Sequence, residues 1–173
     1  MHRQQGYPMN DTYHPLKSGQ AAFQLVLMDA EARSIPREDF YASLTNLALP
    51  QDVVDALHGL VDKTSSVAGR IIHVGKVVLM KIIEFVKSHP GLSAGIALGA
   101  AVACLIHWIP FLGPILGGVA ITFGMVTGQM VDARRRGEPM ERPNLFTAGE
   151  KLIEVALEFF KLFIEIWNAV VDA

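Results

Sequence analysis

"HPGLSAGIALGAAVACLIHWIPFLGPILGGVAITFGMVTGQMVDARRR", residues 89–136, decides how the rest of the chain is read. From Pro90 through Val131 it holds no Lys, Arg, Asp or Glu. Such a run is either the interior of a helical bundle or a segment for a bilayer. Pro110 and Pro114, in "IPFLGP", split it into arms of similar length, 92–108 and 115–131. At about 1.5 Å per helical residue each arm reaches roughly 25 Å, short of the roughly 30 Å of bilayer hydrocarbon. Leu, Ile, Phe and Val favour insertion by only about 0.3–0.6 kcal/mol each. Leu92, Ile96, Leu98, Val102, Leu105 and Ile106 are opposed by Ser93 and His107, so one arm alone is marginal. The expected unit is a helical hairpin over 90–131 with its turn at 109–114.

Small residues in this run recur mostly four apart. Gly91, Gly95, Gly99 and Ala103 form one ridge; Gly113 and Gly117, then Ala120, Gly124 and Gly128, form a second. A glycine inside a helix costs about 1 kcal/mol relative to alanine in water. In lipid, small residues at this spacing let backbones approach, and packing drives association. A tightly crossed helix pair in a bundle also uses glycine. Coincidence of the ridges with the charge-free run favours membrane contact and a homo-oligomer built on these faces.

Charge placement agrees. Residues 63–89 carry Lys63, Arg70, Lys76, Lys81 and Lys87 against Glu84, and the far flank carries Arg134, Arg135 and Arg136. Lys81, Lys87 and these arginines, with Trp108 beside the turn, are the expected membrane-interface residues. By the positive-inside rule both ends of the hairpin, and both termini, sit on the cytosolic side. Residence in a soluble cytoplasmic state, or export without a cleaved signal peptide, is the alternative.

Outside this run the chain reads as helical. Residues 1–15 suggest a flexible arm, without the apolar stretch of a signal peptide. Amphipathic helices follow over 16–89. Apolar residues dominate Leu16 to Arg33, and Pro36 and Pro50 each start a helix with acids just behind. Val53, Leu57, Leu60, Val67, Ile71, Val74, Val78, Ile82 and Phe85 recur three or four apart. That predicts one long helix, or two broken at "TSSVAG", with no strand. Residues 132–146 are a basic, Pro-rich loop. Over 147–173 a last amphipathic helix opens with a capping box, Thr147 and Glu150, and its apolar face is expected to carry Leu152, Val155, Phe159, Leu162, Phe163 and Ile166. The fold class is all-α: a bundle of about six or seven helices around the hairpin.

Hydrophobic residues make up 51% of the chain, and adding its 15 Gly while setting aside 3 Tyr gives about 58%, above the about 45–50% usual for soluble domains. A net charge of −2 and a pI near 6.3 argue against nucleic acid as a partner. Cys104 is the only cysteine, so no intrachain disulfide exists. Catalytic chemistry is thin: no metalloprotease, phosphate-loop, dinucleotide or nucleophile-elbow motif occurs, and no cofactor or metal is expected. Asp55, His58 and Asp62 share a helical face at metal-ligand spacing, and a solvated surface accounts for them better. His107, beside Trp108, is an ionisable group at the expected boundary.

Amphipathic helices around "LSAGIALGAAVACLIHWIPFLGPILGGVAITFG" give an organisation that resembles colicin pore-forming domains. More distantly, it resembles the bundle of the apoptosis regulators, without that group's Asn-Trp-Gly-Arg motif. The proline turn is similar to that of oleosins and caveolins. The expectation is a non-enzymatic, membrane-inserting helical protein that oligomerises and perturbs a bilayer. The alternatives are a hairpin-anchored scaffold holding protein partners through its amphipathic helices, and a soluble bundle that sequesters the hairpin.

Overall fold

Prolines set where the first helices begin. A computed structural model describes residues 16–122 and 145–171. In it Pro36 and Pro50 hold extended backbone, ψ 152° and 146°, one residue ahead of a helix. After α1 (Ser18–Arg33), they launch α2 (Arg37–Thr45) and α3 (Gln51–His58). Glu38, Asp39 and Asp52 occupy the first turns, where carboxylates complement the helix dipole. A 3-10 turn, Gly59–Asp62, closes α3.

The expected break at "TSSVAG" is a β-hairpin, which corrects the expectation of no strand. Strands β1 (Ser65–Val67) and β2 (Arg70–Ile72) pair antiparallel, Val67 opposite Arg70. Ala68 and Gly69 form the two-residue turn at φ 51° and 77°, the sign that a type I′ turn requires at both positions. Alternation then replaces helical periodicity: Val67 and Ile72 point inward, while Ile71, expected on the apolar helical stripe, is 64% exposed.

From the hairpin the chain enters α4 (Val74–Ser88), then α5 (Ala94–Trp108), a 3-10 turn (Pro110–Leu112), α6 (113–122) and α7 (Leu145–Val171). Among the described residues these seven helices and one small sheet make an all-α bundle. Four helices form its core in cyclic order: α1 packs on α4, α4 on α5, α5 on α7, and α7 back on α1. The α2–α3 pair flanks them, with α2 touching α4. Most of α4 is interior, from Val74 and Val77 through Ile82 to Phe85. The Phe85 ring meets Phe159 and Phe160 of α7 at 5.2 and 5.3 Å between centroids. Full burial of one such side chain contributes roughly 1.5–3 kcal/mol, and each aromatic pair about 0.5–1.5 more.

Helix α7 starts at Leu145, so Thr147 and Glu150 lie inside it rather than capping it. Its buried arc also differs from expectation. Ala156, Phe160, Phe163, Ile164, Ile166, Trp167 and Val170 face the core, while Val155 and Leu162 are exposed. The apolar arc is wider than the bundle covers, and its centre lies at Phe160 and Trp167.

Candidate functional site

The described part of the charge-free run, 90–122, holds a bent helix pair. Ser93 caps α5, its hydroxyl accepting the Ile96 N–H at 3.3 Å. The helix ends where Ile109 turns to φ −128° and Pro110 takes the first position of the 3-10 turn. The Ile109 N–H still donates to the Leu105 carbonyl at 2.8 Å, and Leu112 to Ile109 at 2.9 Å. Between Ala94–Trp108 and Pro110–Thr122 the axis bends by 117°. A closed antiparallel hairpin with about a 20° crossing requires a reversal of about 160°. Among the described residues no single helix is long and apolar enough to cross a membrane, and this bent pair alone passes as a broken span.

Its two sides differ. Inward lie Ala97, Leu98, Ala101, Cys104 and Leu105 of α5, then Ile109, Leu112, Leu116 and Val119. Burial pushes the Cys104 thiol up to about 11, so it stays protonated at neutral pH. Outward, Ala103 and His107 are exposed, Gly95, Ile96, Gly99 and Ile106 half-buried, and none of the six is Lys, Arg, Asp or Glu. Trp108 is 42% and Ile121 68% exposed.

Among the described residues, four of the ridge glycines line no helix crossing. A side-chain carbon added at Gly91, Gly95, Gly113 or Gly117 meets open space. Ala120 packs against the core. Gly124, Gly128 and the Arg134–Arg136 cluster lie outside the described residues. Pro110 opens the 3-10 turn and Pro114 lies in the first turn of α6, exposed. Of the interface residues, Lys87 is exposed in the last turn of α4, while Lys81 is half-buried and paired with Glu84 at 3.4 Å.

Close approach occurs instead at Gly75, in the first turn of α4. A side-chain carbon there overlaps the Leu60 carbonyl, while the Gly75 N–H donates to the Lys63 carbonyl at 3.1 Å. Sequence spacing gave no signal for it, because Gly75 stands alone rather than in a series.

Asp29 was also missed. It is the one buried charged side chain among the described residues, 5% exposed. Its Oδ1 accepts the His73 backbone N–H at 2.7 Å and its Oδ2 the Arg33 Nε–H at 3.1 Å. Arginine and backbone donors together compensate the carboxylate for leaving water. His73 Nδ1 lies 3.4 Å from Oδ1 but forms no hydrogen bond with it. A signal existed: Asp29 continues the stripe Ala21–Leu25, with Arg33 four residues on. The Asp55–His58–Asp62 face is structural. Asp62 forms a two-pronged pair with Arg37, whose hydrogen bond holds that carboxyl below its ordinary range. Asp55 accepts from Gln51 at 2.8 Å, and His58 Nε2 donates to the Arg37 carbonyl at 3.2 Å. Among the described residues no three such side chains are grouped to hold a metal.

Comparison with protein-family models, with curated proteins and with solved structures finds no match to this chain.

Proposed function

We propose that this protein is a non-enzymatic, membrane-active helical bundle that stores a charge-free segment and delivers it to a bilayer. The observation that carries this reading is the uncharged outward side of the bent pair, from Gly95 and Ile96 through Ala103 to Trp108 and Ile121. A water-facing helix ordinarily closes with charged residues. Here the surface offers apolar and small side chains, with Trp108 at the edge where an interfacial ring is favourable. Storage is supported by the inner side, where Leu98, Leu105 and Leu116 are covered completely.

Self-association belongs to the same proposal. Gly95 and Ala103 leave room for a second helix on the outward face, and among the described residues nothing fills the space at Gly95. Insertion with the turn leading places both ends of the segment on the cytosolic side. The test is flotation with vesicles of phosphatidylcholine and phosphatidylglycerol, together with release of an entrapped dye. Co-flotation that survives carbonate, with dye release, is the expected result. Co-flotation without release makes the protein a scaffold, and a protein that stays with the aqueous fraction overturns the reading.

A further inference from the structure

Two buried side-chain nitrogens among the described residues have no hydrogen-bond partner, His73 Nδ1 and Trp167 Nε1. The second lies where α7 meets the turn of the bent pair. Trp167 is fully buried, stacked on Phe111 at 5.5 Å and 24°, and edge-on to Phe163 at 6.2 Å. The next residue, Asn168, donates its side-chain amide to the Trp108 carbonyl at 3.0 Å, satisfying an acceptor at the end of α5. A buried indole N–H without an acceptor carries its desolvation penalty unrelieved. At a boundary between apolar surroundings and water, the same ring stays covered while its N–H finds a partner. The closed joint thus holds α7 by ring packing and one hydrogen bond, and penalises the ring that fills it.

We infer that α7 is a releasable cover over the bent apolar pair, and that the Trp167–Asn168 joint is where it opens. Its displacement uncovers the sides of α5 and α1 that pack beneath it. Helix α1 stays behind, tied to the start of α4 by the Asp29 bond to the His73 N–H. The purpose of the cover rests on the proposed membrane function; its opening does not.

Native-state hydrogen exchange on the full chain, first without lipid, separates the two. Amides of α7 around 160–170 are expected to exchange through an opening that leaves α4 protected. Asn168→Ala, at a half-buried position, is expected to speed exchange in α7 about tenfold and leave α4 unchanged. Exchange of α7 and α4 in a single joint opening, in either protein, overturns the inference. Repeating the measurement with phosphatidylcholine–phosphatidylglycerol vesicles then distinguishes the claims. Loss of α7 protection on binding supports both, and binding with α7 protection unchanged overturns the cover. Separate α7 opening with no vesicle binding supports the cover and removes the proposed function.

Discussion

The first turn of α4 and the outward face of α5 both depend on glycine, in opposite ways. At Gly75 the missing side chain is filled by backbone, because the Leu60 carbonyl occupies the place where a β-carbon would stand. At Gly95 the missing side chain leaves open space. The first glycine is consumed by the fold, and the second is spare. Neighbouring residues repeat the contrast. Helix α4 sets Lys76, Lys81, Glu84 and Lys87 around its apolar face, and Lys76 donates to the Ile35 carbonyl at 3.1 Å. Helix α5, of equal length at 15 residues, carries no Lys, Arg, Asp or Glu. The charges on α4 mark its boundary with water, and α5 lacks that mark; the proposed function rests on this difference.

The comparison is sharpened most at Gly75. Gly75→Ala forces the Leu60 carbonyl aside and is expected to destabilise the fold by about 3 kcal/mol or more, read as a lower denaturant midpoint. A loss below about 1 kcal/mol shows that the 59–63 turn yields easily, and the contrast with α5 disappears. Next comes Asp29→Ala, which strands the His73 N–H and leaves a buried gap. A loss of about 2–3 kcal/mol is expected, against less than about 1 for Arg33→Ala at the exposed end of the pair. Equal losses from the two substitutions make the arginine, not the backbone bond, the tie between α1 and α4.

Cys104 tests the inner side of α5. Its thiol is raised from an ordinary value of about 8.5 to about 11 in the fold. The stability tied to keeping it neutral is complete below the ordinary value and declines as pH rises from there towards about 11. Alkylation by iodoacetamide at pH 8 is expected to be slow in the native protein and fast in denaturant. Fast native alkylation means that the inner side is already open.

The smallest expected effect is the most informative about the outward side. Gly95→Ala adds a methyl to open space and is expected to stabilise the helix by about 0.5–1 kcal/mol. The paired change Gly95→Leu with Gly99→Leu is expected to weaken self-association in membranes, measured by crosslinking with the level of folded protein checked alongside. Unchanged oligomer size in that variant would falsify the role given to the ridge.

Much of the architecture was legible because helical signals are local. Pro36, Pro50 and Pro90 marked boundaries by removing backbone donors and restricting φ, whatever the rest of the chain does. The hairpin at 65–72 was not legible. Its turn is Ala68-Gly69, where Ala68 accepts a left-handed φ that asparagine or glycine ordinarily supplies. Nor did spacing separate the two uses of glycine. Repetition made the α5 ridge conspicuous, but Gly75 is set by the path of the 59–63 turn, a tertiary fact. On α7 the charged residues located the polar side correctly, yet the core chose Ala156, Phe160 and Trp167 over Val155 and Leu162. Which part of a wide apolar arc is covered depends on where α1 and α5 already stand.

The 117° bend has a consequence for the shape of any lipid complex. Its arms enclose 180° − 117°, about 63°, and α5 is about 22 Å long at the usual helical rise. Entering turn first and symmetrically, such a wedge reaches a depth of about 19 Å, past the bilayer midplane at about 15 Å but short of the opposite surface. It therefore adds area mainly to the leaflet it enters. Under the proposed insertion, a protein holding this angle is expected to act as a one-sided spacer, bending the sheet towards the opposite leaflet. Its binding should then rise as vesicle diameter falls.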